Sequence, residues 1–180
     1  SDAAGNSNDS ASSITLPVDT IIPTIGITPN VSSLKAGESA VLTFTLSEES
    51  TDFVEADITA TGGTISNFAG SGTTYTATFT PAADSTASGL ISVDTAKFTD
   101  AAGNDNTAES LTLAVDTVVP GITITTSDSA LKAGETATIT FTLSEPSEDF
   151  TAEDISVSGG TITGFSGEGS SYTATFTPAE

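Results

Sequence analysis

Leu34-Lys-Ala-Gly-Glu-Ser-Ala-Val-Leu-Thr-Phe-Thr-Leu-Ser-Glu48 returns, 97 residues on, as Leu131-Lys-Ala-Gly-Glu-Thr-Ala-Thr-Ile-Thr-Phe-Thr-Leu-Ser-Glu145. In the first copy Leu42, Phe44 and Leu46 alternate with Thr43 and Thr45. A period of two puts the apolar residues on one side of an extended chain and the threonines on the other, which is the pattern of a half-buried β-strand. The Ala36-Gly37 turn before it marks where such a strand begins.

Extended outward at the same shift, Asp19 to Ala83 aligns with Asp116 to Glu180 without a gap, at roughly 60% identity. The opening Ser1-Asp-Ala-Ala-Gly-Asn-Ser-Asn8 matches Thr99-Asp-Ala-Ala-Gly-Asn-Asp-Asn106, and the correspondence runs on to Val18-Asp19 and Val115-Asp116 with one extra residue. The expected organisation is a tail strand of a preceding repeat at residues 1–18, a complete repeat at 19–115, and a second repeat at 116–180 that stops before its own last strands. Both ends are expected to be cut boundaries. An open sheet edge on the second repeat would be a place for the tail at 1–18 to pair, from this molecule or another.

Within the complete repeat the alternation recurs at Ile25 and Ile27; at Tyr75, Ala77 and Phe79; and at Leu111, Leu113 and Val115. Shorter strands are expected around Asp57 to Thr61, Thr64 to Phe68 and Leu90 to Phe98. Gly62-Gly63, Gly70-Ser-Gly72 and Ala102-Gly103-Asn104 supply turns between them, and no helical period appears. About seven short strands in roughly 100 residues describes an immunoglobulin-like β-sandwich with Greek-key connections. The fold class is therefore all-β: tandem sandwiches, the second truncated.

Composition narrows the chemistry. The 180 residues carry 24 acids against 3 bases, a formal charge of -21, which repels nucleic acid and anionic lipid surfaces. Cys, Met, Trp and His are absent, so thiol and imidazole catalysis and soft-metal sites have no residues to use. What remains is the hard, oxygen-loving class of metal ion. No membrane-spanning apolar run is present, so direct membrane insertion is not expected.

The motifs VDTxxP, LKAGE, FTLSE, F-x-x-x-D-I, GGTI, YTATFTP and FTDAAGN, in that order, resemble the bacterial immunoglobulin-like domains that stand in long tandem arrays in large surface adhesins and biofilm-associated proteins. The resemblance covers the whole chain. It implies a secreted or cell-surface, calcium-stiffened extender whose partners are neighbouring repeats, with contact to a host surface or biofilm matrix made through other domains.

Strand direction yields a candidate site without the family. If each connection reverses the chain, the loop Ser47 to Ala56 and the DAAGN loop after Phe98 return to the end where Asp19 enters. Asp19, Glu48, Glu49, Asp52, Glu55, Asp57, Asp100 and Asn104 should gather there. Carboxylates crowded without a basic partner call for a cation, and Ca²⁺, taking six to eight oxygens in flexible geometry, suits irregular loops better than Mg²⁺. Asp116, Glu145, Asp149 and Asp154 hold the corresponding places in the second repeat. The metal candidates are thus Asp19, Glu48, Asp52, Asp57, Asp100, Asn104, Asp116, Glu145, Asp149 and Asp154. An ion at Asp116 would pin the connector between repeats, which Pro120 already restrains.

The competing reading of DAAGN is a plain turn, its Asp accepting backbone N–H groups and its Gly supplying positive φ. It lacks the D-x-D-x-D-G spacing of an EF-hand. The Thr faces (Thr76, Thr78, Thr80; Thr123, Thr125) read as ordinary solvent faces of strands rather than an ice-binding lattice. Lys35 and Lys132 fall in the polar KAGE turn, away from any isopeptide staple, and the low aromatic content argues against a sugar-cleaving pair of carboxylates. The expectation is a non-enzymatic extender stalk supporting adhesion or biofilm formation; the alternative is a binding module for a host or matrix glycan or protein.

Overall fold

Threonine alternating with apolar residues gives the chain its strands, and the computed structural model describes residues 1–8, 10 and 12–179. Asp9 and Ala11 of the expected tail and Glu180 of the expected second repeat lie outside the described residues. The chain divides into two units, Ser1–Val118 and Val119–Glu180.

Among the described residues the first unit holds seven strands: β1 (Ile25–Pro29), β2 (Ser33–Lys35), β3 (Ala40–Ser50), β4 (Ile58–Thr61), β5 (Gly63–Pro81), β6 (Gly89–Val93) and β7 (Glu109–Asp116). They form two sheets, ordered β1-β3-β5 and β2-β7-β6-β4. Pairing is antiparallel except between β2 and β7, which run parallel with Leu34 opposite Val115. Registers follow the apolar pattern. Ile27 stands opposite Phe44, Phe44 opposite Tyr75 and Ala40 opposite Phe79, so from Ala40 to Leu46 the inward positions of β3 face inward positions of its neighbours.

One core joins the two sheets: Ile25, Leu42, Phe44 and Phe79 from the first pack with Leu34, Ile91, Val93, Leu113 and Val115 from the second. Phe53, on the loop after β3, is the aromatic hub. Its ring centroid lies 5.8 Å from Phe44, 5.4 Å from Phe68, 5.1 Å from Tyr75 and 5.2 Å from Phe98. Full burial of such a side chain contributes about 1.5–3 kcal/mol, so this hub fastens the loop bearing Asp52 to the body of the domain. The hydroxyl of Tyr75 donates to the Ser50 carbonyl at 2.8 Å, fixing the same loop from below.

Three expected strands come out differently. The segment expected to run extended from Leu90 to Phe98 leaves the sheet after Val93, because Ala96 takes φ 57° and the Asn106 side chain receives the N–H groups of Lys97 and Phe98. Thr64 to Phe68 and the Tyr75 run belong to one extended run, β5, whose halves lie against each other; Asn67 Nδ2 reaches Thr78 Oγ1 at 3.4 Å. A short 3₁₀ turn, Glu55–Asp57, precedes β4, so that strand starts at Ile58.

The second unit is one three-stranded antiparallel sheet, ordered β10 (Gly160–Pro178), β9 (Ala137–Ser147), β8 (Ile122–Thr126). Phe141, Tyr172 and Ala174 are buried, with Ile139, Leu143, Phe150, Ile155, Ile162 and Phe165 packed around them. Its Phe150 keeps the aromatic contacts of Phe53 to Phe141, Phe165 and Tyr172. Among the described residues no second sheet covers it. Ile25 and Ile27 of the first unit are 5% and 8% exposed, whereas their counterparts Ile122 and Ile124 are 51% and 60% exposed.

Candidate cation site at Asp19, Glu48 and Asp100

The DAAGN loop builds itself from local hydrogen bonds. Asp100 Oδ1 receives the N–H of Ala102 at 2.8 Å and of Asn104 at 2.9 Å, and the Gly103 N–H donates to the Asp100 carbonyl. Gly103 has φ 90°, a conformation that side chains on Cβ disfavour. The first copy, Asp2 to Asn6, forms the same turn, with Ala4 and Asn6 N–H groups on Asp2 Oδ1 and Gly5 at φ 90°. A motif that closes identically in two surroundings is specified by its own residues.

What differs is the setting. Asp100 is buried, and Asn104 Nδ2 donates both to Asp100 Oδ2 at 2.8 Å and to the Asp19 carbonyl at 3.3 Å. The loop is thereby tied to the segment entering β1. Its base is held by Asn106, which is buried, accepts from Lys97 and Phe98, and donates to the carbonyls of Asp94 and Thr107. Asn106 was not singled out from sequence. A signal was present, since an Asn two residues past DAAGN occurs in both copies, at Asn8 and Asn106.

Glu48, near the end of β3, faces this loop. One oxygen from each of Asp19, Glu48 and Asp100 lies within 4.8 Å of the others. Glu48 Oε1 is buried and receives no hydrogen bond. Desolvation first, then the negative charges of Asp19 and Asp100, push the Glu48 carboxyl above its usual value. Asp100 moves the other way, because the hydrogen bond from the Asn104 side chain, followed by that from the Asn104 N–H, favours its ionised form. Among the described residues the sole ion pair is Lys35–Glu38 at 3.9 Å, so no lysine neutralises the cluster.

The other expected ligands are placed as follows. Asp52 accepts from Thr99 N–H at 3.0 Å, Thr99 Oγ1 at 2.9 Å and Ser50 Oγ at 2.6 Å. Burial alone would raise its carboxyl, but the bonds from Ser50 and Thr99 outweigh this and hold it below the usual range. Asp52 thus staples the loop after β3 to the DAAGN loop. Asp57 Oδ2 accepts the Val54 N–H at 2.9 Å and closes the 3₁₀ turn. Asp116 is exposed and accepts the Val118 N–H at 3.2 Å.

In the second unit Asp149 accepts from Ser147 Oγ, and Asp154 accepts from Thr151 N–H and Oγ1. With Glu145 they line an open groove beside Leu143 and Phe150. Among the described residues, Asp19, Glu48 and Asp100 are the one set of three acids that meets closely enough to share an ion.

The donor set fits Ca²⁺. Three carboxylates offer up to six hard oxygens, their negative charge is uncompensated by any lysine, and the orphaned Glu48 oxygen has the desolvated lone pairs that an ion would fill. An ion there would join three parts of the first unit: the entering segment, the end of β3 and the loop before β7.

Comparison with protein families agrees with the sandwich. The family model described as bacterial Ig-like domain matches residues 19–115 and again 116–180. No curated protein matches the chain significantly. Among solved structures, the chain is similar to FdeC, a broadly conserved Escherichia coli adhesin eliciting protection against urinary tract infections, at 19% identity and a TM-score of 0.47, covering 86% of this chain and 55% of that one. The chain spans about half the length of that structure.

Proposed function

The chain belongs to the bacterial Ig-like domain family, and from that membership we propose that it is a non-catalytic extender segment of a bacterial cell-surface or secreted adhesin, stiffened by Ca²⁺. The observation that carries the calcium reading is the Asp19–Glu48–Asp100 cluster with its buried, partnerless Glu48 oxygen. Outside a cell, Ca²⁺ would offset the mutual repulsion of the three carboxylates and bind the entering segment to the domain body. Duplication supports a spacer role, because an array uses many similar bodies to gain length. Within the second unit, Glu145, Asp149 and Asp154, which line one open groove, are proposed as ligands of a second site.

Calorimetric titration with CaCl₂ tests this. The parent chain is expected to bind with measurable heat, and Asp19→Asn with Glu48→Gln is expected to lose one site. Small-angle scattering with and without Ca²⁺ should show a stiffer chain in calcium. Absence of binding heat in the parent overturns the metal assignment, and binding without any change in scattering overturns the stiffening role.

A further inference from the structure

Thr117 is the first residue after β7 and is 4% exposed, a buried hydroxyl just past the end of the sheet. Its N–H donates to the Ser85 carbonyl at 2.9 Å. Its Oγ1 donates to the Ala82 carbonyl at 2.7 Å, with the Ser85 carbonyl at 3.2 Å, and accepts the Ser85 N–H at 2.9 Å. The connection between β5 and β6 that supplies these groups is itself fixed: the Ala82 N–H donates to the Gly62 carbonyl, Asp84 turns the chain at φ 50°, and the Ala87 N–H donates to Ser85 Oγ. A buried hydroxyl used as donor and acceptor at once holds its backbone in one place, because each bond given up leaves a desolvated polar group without a partner.

We propose that Thr117 is the pin of a clasp through which tension leaves the first unit, an inference that rests on the reading of the chain as an extender. Tension enters through the segment before β1. There Pro23 is buried, its carbonyl accepts the Thr107 N–H at 3.0 Å, and Thr24 and Ser47 are joined by two hydrogen bonds of 2.9 Å. It leaves through the end of β7. Because β2 and β7 run parallel, a pull on the entering side and a pull on the exit side act on them in opposite directions along one axis. Such a pair is sheared rather than unzipped, and its bonds must break together. The pair is short, Ser33 to Lys35 against Ala114 to Asp116. Thr117 is the next residue on the exit side, so the clasp meets the load first. While Ala82 and Ser85 hold Thr117, β7 cannot slide past β2 and β6.

Single-molecule pulling of the full chain by its two ends tests the clasp, run in chelator so that no calcium site contributes. The first unit is recognised by its longer contour step, at about 3.5 Å per residue released. At constant force Thr117→Val is expected to unfold that unit about tenfold faster, because the bonds it lacks are those broken at the barrier. Thr117→Ser, which keeps the hydroxyl, is expected to restore the parent rate. Tyr75→Phe removes another buried hydroxyl, whose bond joins β5 to the last residue of β3 rather than to β7. It should lower the denaturant midpoint and leave the rate under force unchanged. Hydrogen exchange of the parent adds a check that needs no variant: the Ser85 and Thr117 amides should be protected as strongly as those of β7. A parental rate in Thr117→Val, no recovery in Thr117→Ser, equal acceleration in Tyr75→Phe, or unprotected Ser85 and Thr117 amides overturns the clasp. The extender reading is decided separately, by the scattering comparison with and without calcium.

Discussion

Glu48 sits near the end of β3 with one oxygen turned inward and no donor to receive it. Folding raises its carboxyl, by desolvation first and then by Asp19 and Asp100. A carboxyl raised on folding costs nothing at a pH below its unfolded value, where both states are protonated, and destabilises the fold as pH climbs past that value. Asp52 and Asp100 are lowered, so their contribution is present above their unfolded values and is lost as pH falls through the folded ones. Glu48→Gln leaves the two aspartates in place and isolates the first effect. In calcium-free buffer the variant should melt at a higher temperature than the parent at neutral pH, and the gap should close as pH falls below the ordinary glutamate value; equal melting temperatures at pH 7 would sink the assignment. Thr99 is the other residue to test, because its N–H and hydroxyl both donate to Asp52. Thr99→Val removes the hydroxyl bond and keeps the shape, and should cost about 1 kcal/mol in denaturant unfolding, the net worth of one such bond at a partly exposed site. An unchanged midpoint would mean that the staple contributes nothing.

At the level of elements, β6 and β5 meet through a glycine. A Cβ on Gly89 would lie 2.5 Å from Phe79 Cζ, and Gly63 stands equally close to the same ring. Phe79 is fully buried, so the ring has nowhere to move. Gly89→Ala should therefore destabilise the first unit by about 1–3 kcal/mol through overpacking, while Gly121→Ala, whose Cβ would meet only Ser144 Oγ at 3.7 Å, should be near neutral in thermal unfolding. The strands themselves were legible because period-two alternation survives in a single sequence: β1, β3 and β7 lie where Ile25, Leu42 to Leu46 and Leu111 to Val115 placed them. The departure of the chain from β6 after Val93 was not, because it depends on a buried Asn106 that arrives from beyond the loop. Convergence of Asp19, Glu48 and Asp100 was legible from strand direction alone. The use of Asp52 and Asp57 by Thr99 and Val54 was not, since hydrogen bonds in reach of a carboxylate are set by the local turn rather than by which end of the domain it occupies.

Across the whole molecule the two units are unequally built. The first has a core drawn from two sheets, including Leu42, Phe44, Phe79, Ile91 and Leu113, all nearly free of solvent. The second buries Phe141, Tyr172 and Ala174 behind one sheet and leaves Ile122 and Ile124 exposed. Apolar burial is the main favourable contribution to folding, against an entropy cost that scales with the number of residues ordered. The second unit orders its residues for less burial, so it should unfold first, and a single two-state transition should not describe the chain. Calorimetry of a dilute sample in chelator is expected to show two transitions. Phe141→Ala, which opens a cavity in the smaller core at a cost of about 3–5 kcal/mol, should lower or abolish the first and leave the second in place. Phe44→Ala, at the corresponding position of the larger core, should lower the second. If either variant shifts both transitions equally, or if the parent melts in one transition with equal calorimetric and van't Hoff enthalpies, then the two units fold as one and the separate cores do not set their stability.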